Sequence, residues 1–168
     1  MTALVLVGLM GAGKSHVGGV VAAELGWRLV DVDVAINADT GRTVREIWED
    51  GGEAAYRHLE SKVVLDAIEG DDPTVLAAPG GVVLDPGVRA ALRRAFVVWL
   101  RTDPVTLAGR VRPGDHRPLL GERPFDVLSS MAVERASLYE EVADAIVDTD
   151  HLDVRGVADR VLSLLPIP

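Results

Sequence analysis

Gly8-Leu9-Met10-Gly11-Ala12-Gly13-Lys14-Ser15 places glycine, lysine and serine at the spacing G-x-x-x-x-G-K-[ST]. Each residue type has a task toward phosphate. Glycines let the backbone wrap closely round an anion with its N–H groups turned inward, and the positive end of a following helix faces the same charge. Lys14 neutralises the β and γ phosphates, and the Ser15 hydroxyl is a Mg²⁺ ligand. The alternative is a glycine-rich turn without chemistry, but eight matched positions between an apolar run and a helical pattern favour a nucleoside triphosphate. The motif does not say which reaction follows.

Asp31 and Asp33 end a second apolar run and stand two residues apart, which on a strand puts both side chains on one side. One carboxylate beside Mg²⁺ holds its water shell, and another orients and deprotonates an acceptor hydroxyl for phosphoryl transfer. The competing reading is a solvated Asp-x-Asp, with Asp33 capping a helix. Arg135 occupies the centre of a helical apolar stripe formed by Leu128, Met131, Leu138 and Val142. A charge there must pair or face a wet cavity. Arg57, just after Gly51-Gly52, has Glu60 at i+3 and on that spacing reads as an exposed ion pair. If Arg57 and Arg135 instead converge, two guanidiniums match a carboxylate or phosphate, and the acceptor is an anion.

Gly80-Gly81 follow the third apolar run, either as an ordinary turn or as a second place where backbone N–H groups approach a ligand. Arg110, Arg112, Arg117 and Arg123 crowd the irregular segment from Arg110 to Pro124. A loop of that length reads as a lid that closes over ATP and brings positive charge to the phosphoryl group. The alternative is a solvated loop balanced by Asp115 and Glu122. The four histidines, His16, His58, His116 and His151, have no metal-ligand spacing.

The elements that must position these residues alternate between apolar runs and helical stretches, the pattern of an α/β protein with a parallel sheet. Strands are expected at Ala3–Val7, Arg28–Val32, Thr74–Ala78, Ala95–Leu100 and Ala145–Val147. Helices are expected near Lys14–Leu25, Thr43–Glu49, Glu53–Glu69, Pro86–Ala95, Pro104–Arg110, Phe125–Val142 and Val154–Leu165. With 168 residues and no linker or repeat, the chain reads as one domain, residues 1–168. It lacks cysteine, which removes disulfides and thiol chemistry. The net charge of −9 argues against nucleic acid or anionic lipid as a partner, so any anion must be met locally. Only two of the 17 basic residues are lysines, so Lys14 stands where arginine would otherwise be used. No apolar run is long enough to span a membrane, and the apolar start lacks a basic leader, so the expected location is cytoplasmic.

Taken in order, these segments resemble the shikimate kinase family over nearly the whole chain. The resemblance rests on Gly8 to Ser15, Asp31-Val32-Asp33, Thr40-Gly41-Arg42, Gly51 to Arg57, Gly80-Gly81, Arg117-Pro118-Leu119-Leu120 and Arg135-Ala136-Ser137-Leu138-Tyr139. It implies a three-layer α/β/α P-loop fold like that of nucleoside monophosphate kinases, with a five-stranded parallel sheet, a substrate region about 32–60 and a lid about 110–124. The implied activity is ATP-dependent phosphorylation of the shikimate 3-hydroxyl, with Mg²⁺, by a monomer serving aromatic amino acid biosynthesis.

By the same resemblance Asp33 binds the reacting hydroxyl, Asp31 and Ser15 hold Mg²⁺, and Arg57, Arg135, Gly80 and Gly81 bind shikimate. Gly11, Ala12, Gly13, Lys14, Ser15 and His16 hold ATP; Arg117 reaches its phosphates from the lid, and Arg110 lies against adenine. Trp48 and Tyr56 match aromatics beside the substrate ring. Three positions depart from the family pattern. Pro79 replaces the first of three glycines, His16 stands where threonine is usual, and Asp150-His151-Leu152-Asp153 lacks the usual basic and proline residues. Related readings are a kinase for another hydroxylated carboxylic or sugar acid such as gluconate, and an ATP-binding module without catalysis; intact Lys14, Ser15, Asp31 and Asp33 oppose the latter.

Overall fold

Short apolar runs that are buried along their whole length can satisfy their backbone only against neighbouring strands, and here they build one sheet. The computed structural model describes residues 2–110 and 123–166. Strands β1 (Ala3–Val7), β2 (Arg28–Asp31), β3 (Thr74–Ala77), β4 (Phe96–Arg101) and β5 (Ala145–Asp148) pair in parallel in the order β2-β3-β1-β4-β5. The central strand β1 and its neighbour β3 are entirely buried. Helices cover both faces: α1 (Lys14–Leu25), α2 (Val32–Thr40), α3 (Val44–Glu69), α4 (Pro86–Leu92), α5 (Pro104–Arg110), α6 (Pro124–Val142) and α7 (Val154–Leu164). The three-layer parallel α/β fold expected from the sequence is the one found.

Two boundaries differ in ways that matter for chemistry. Val32 does not extend β2; it opens α2, which the sequence reading missed. The Asp31 side chain accepts from the N–H groups of Asp33 and Val34, ending the strand and capping the helix, while Val32 and Ile36, one turn apart, bury its inner face. The expected helices at 43–49 and 53–69 form one element, α3, broken at Gly52, whose φ of 68° and ψ of −171° are not helical. Its start carries a reciprocal cap between Thr43 and Glu46. Helix α4 also stops at Leu92, three residues before the expected end, and a single 3₁₀ turn at Val82–Leu84 follows β3.

The chain leaves β1 toward β2 on one side and later returns to β4 on the other. Ligands of open parallel sheets bind at such a reversal, beyond the strands' carboxyl ends. The turn there tolerates no side chain at its first position. Gly8 has φ of 141°, and a Cβ would lie 2.6 Å from the carbonyl oxygen of Leu100. Gly8→Ala is therefore expected to lower unfolding free energy in urea by more than about 1 kcal/mol. Gly19→Ala, inside α1 where a Cβ meets only Leu29 at 4.0 Å, should raise it by about 0.5–1 kcal/mol in the same titration.

Candidate active site

The loop after β1 enters α1 through Gly13, which is left-handed and offers no side-chain cap. No acidic residue of α1 stands in its first turn, and Gly13 brings no side-chain cap to the helix's positive end. Gly11 and Gly13 both have positive φ, 85° and 90°. Lys14 Nζ donates to the carbonyl oxygens of Gly8 at 2.7 Å and Leu9 at 2.9 Å, spanning the loop. The Ser15 hydroxyl donates to Asp31 Oδ2, so the start of α1 and the end of β2 meet through one carboxylate.

The other wall is built by α2 and α3. Asp33 lies on the first turn of α2 and not on a strand, so the expected strand-like pairing with Asp31 is replaced by a division of roles. Asp31 is the cap, not Asp33, and the Asp33 carboxylate instead accepts from the Tyr56 hydroxyl at 2.8 Å. Tyr56 lies beyond the break at Gly52, and its ring faces Trp48, which lies before it, at 6.0 Å between centroids.

Arg57 does pair with Glu60, as its spacing suggested, but the pair is not an exposed one. Glu60 is 1 % exposed, and Arg57 Nη1 donates to its Oε2 at 2.6 Å. Arg57 Nε and Nη2 donate to Glu53 Oε1 at 3.2 and 3.1 Å. Burial works to lower the Arg57 guanidinium, but Glu60 and Glu53 outweigh it and hold the proton more firmly than usual. Burial pushes the Glu60 carboxyl up, with Arg57 opposing. A Cβ on Gly81 would lie 2.0 Å from Arg57 Nη1, so this glycine leaves the space in which the guanidinium rests.

Arg135 approaches from α6. It is 5 % exposed, and its Nε is buried without a hydrogen-bond partner among the described residues. One turn later Tyr139 stacks on Trp99 of β4 at 5.3 Å and donates to the Gly80 carbonyl oxygen at 2.7 Å. These contacts fix the helix face that carries Arg135. A desolvated guanidinium donor left unpaired is costly, which suits a position where an anion is to arrive.

These walls enclose a cleft of about 1040 Å³. Its lining brings together Gly11, Ala12, Gly13, Lys14, Ser15, His16 and Asp31 with Asp33, Trp48, Tyr56, Arg57, Gly80, Gly81 and Arg135. Pro79 is on the wall as well, its carbonyl accepting from the Val82 N–H at 3.2 Å. Arg110 bridges the Gly11 and Thr149 carbonyl oxygens at 3.3 and 3.4 Å, beside Leu152, Asp153 and Val154. Arg117 and the rest of the expected lid, 111–122, lie outside the described residues. Sequence reasoning missed Glu60 as a buried partner and the Tyr56 hydroxyl as a partner of Asp33. Glu60 was visible only as one carboxylate of an ordinary helical pair.

The family model described as shikimate kinase matches residues 10–166. A shikimate kinase of Symbiobacterium thermophilum is 42 % identical over 166 residues, covering 96 % of this chain and 95 % of that protein. One from Aromatoleum aromaticum is 46 % identical over 160 residues, covering 94 % and 91 %. The solved structure of the Acinetobacter baumannii shikimate kinase in complex with shikimate superposes with a TM-score of 0.93 at 34 % identity, covering 98 % of this chain and 92 % of that one. A phosphate loop shared by many kinases would not produce agreement of this extent; matched along nearly its whole length and in its fold, the chain belongs to the shikimate kinase family.

Proposed function

We propose that this enzyme transfers the γ-phosphoryl group of ATP to the 3-hydroxyl of shikimate, giving ADP and shikimate 3-phosphate. The observation that carries the reading is the one cleft that Asp33, Arg57 and Arg135 line together with the phosphate loop. An acceptor with a hydroxyl at one end and a carboxylate at the other is matched by one carboxylate and two guanidiniums so placed.

In this reading Lys14 and the N–H groups opening α1 grip the triphosphate. Arg135, whose Nε has no hydrogen-bond partner among the described residues, and Arg57, held by Glu53 and Glu60, bind the acid end of shikimate. Asp33 accepts a hydrogen bond from the hydroxyl and takes its proton as the oxygen bonds to the γ-phosphorus and the bond to the β–γ bridging oxygen breaks. Holding both reactants in line removes most of the entropic barrier, so positioning carries much of the catalysis. Gly80 and Gly81 contribute by leaving room for the Tyr139 hydroxyl and the Arg57 guanidinium, and their backbone borders the acceptor. Arg110 holds the base end of the nucleotide, and Arg117 is assigned to its phosphates.

The Ser15 hydroxyl and Asp31 carboxylate are adjacent oxygen donors suited to Mg²⁺, which takes one or two protein oxygens together with phosphates and water. No three-residue acidic or histidine cluster exists among the described residues, which fits an ion carried by the nucleotide rather than caged by protein. When bound, Mg²⁺ would neutralise charge on the β and γ phosphates. The reading is of a monomer acting in the cytoplasm, as the family resemblance implies. No helix among the described residues is long and apolar enough to cross a membrane.

ADP formation measured against shikimate, quinate, gluconate and nucleoside monophosphates tests the assignment. Turnover of shikimate alone or by a wide margin is expected, and turnover of gluconate without shikimate would overturn it. Arg135→Ala should raise the shikimate KM about ten- to a hundredfold, the loss of a charge-assisted bond of roughly 1.5–3 kcal/mol, and leave the ATP KM nearly unchanged. Equal effects on both constants would place Arg135 elsewhere. Asp33→Asn should depress kcat and spare ATP affinity, read from steady-state kinetics; wild-type turnover would remove Asp33 from the chemistry.

A further inference from the structure

A phenol that the transfer reaction does not itself use is fixed against the acceptor carboxylate. Tyr56 is 5 % exposed, and its hydroxyl donates to Asp33 Oδ1 at 2.8 Å across 23 residues of sequence. The ring is held by Trp48 on one side of the Gly52 break and by the Arg57 guanidinium, 5.5 Å from its centroid. Asp33 itself is exposed on the first turn of α2, a position from which a short acidic side chain commonly folds back onto its own helix. That arrangement is already occupied, because the Asp31 side chain accepts from the Asp33 and Val34 N–H groups.

We infer that Tyr56 is a positioning residue: its hydroxyl, by holding one oxygen of Asp33, sets the orientation in which that carboxylate meets the acceptor hydroxyl. The inference rests on the assignment of Asp33 as the hydroxyl-binding group. A buried phenol is rigid, with few torsions, and its O–H seeks a partner, so it fixes the carboxylate at small entropic cost. Burial, and then the Asp33 charge, push the phenol up, so it stays protonated and remains a donor across the working pH range. A misplaced reacting group costs orders of magnitude in rate, so an orienting bond is read in kcat and not in nucleotide binding.

Tyr56→Phe keeps the ring, its contact with Trp48 and its burial, and removes only the donor. Steady-state kinetics should show kcat lowered about tenfold with the ATP KM unchanged. The same substitution in an Asp33→Asn background should have no further effect, because the group it orients is already lost; a role in packing alone would cost the same in both backgrounds. Wild-type kcat in Tyr56→Phe alongside a crippled Asp33→Asn would overturn the inference and leave the Asp33 assignment standing. Equal losses in both backgrounds would also overturn it. Wild-type turnover in Asp33→Asn would overturn the underlying assignment and this inference with it.

Discussion

The Asp31 carboxylate joins the two halves of the catalytic cleft. One of its oxygens takes the Ser15 hydroxyl at the start of α1, and the other takes the N–H groups of Asp33 and Val34 at the start of α2. In the proposed reading, the nucleotide side and the acceptor side therefore have a common reference point at the carboxyl end of β2. In-line transfer between two bound molecules needs their relative placement fixed to within fractions of an ångström. A side chain shared by both proposed sites would supply that constraint.

Around this point an acidic protein brings four of its 17 basic residues together. With a net charge of −9 the molecule offers little long-range attraction to ATP or to a carboxylic acid. Lys14, Arg57, Arg110 and Arg135 all line the cleft, and three of them are held by carbonyl or carboxylate oxygens of the protein. Arg57 is the most constrained, resting in the space above Gly81 between Glu53 and Glu60. Burying Glu60 is expensive alone, and the bond to Arg57 offsets that cost while fixing the guanidinium. Arg135 differs in having a buried Nε without a hydrogen-bond partner among the described residues.

The phosphate loop, the parallel sheet and most helices were legible because they depend on local pattern: glycine spacing, β-branched runs and apolar stripes. Arg135 was legible for a related reason, since a charge on an apolar stripe contradicts its surroundings unless a cavity explains it. Asp33 was assigned its task through family resemblance, but its place was misread, because Asp-Val-Asp alternates like a strand and the capping bond of Asp31 that ends β2 leaves no periodic trace. The burial of Glu60 and the Tyr56–Asp33 bond were not legible, since both depend on how α3 turns at Gly52 and lies over α2. A pair at i, i+3 looks the same on a solvated helix as beneath a cleft.

The break at Gly52 also decides how far the acceptor wall can be reshaped. Trp48 and Tyr56 are eight residues apart, which in an unbroken helix means about 12 Å along the axis, yet their rings meet at 6.0 Å. The width of this wall thus depends on the backbone at Gly52 as well as on the two side chains. An inhibitor shaped to the aromatic pair is therefore shaped to the backbone break between the two rings.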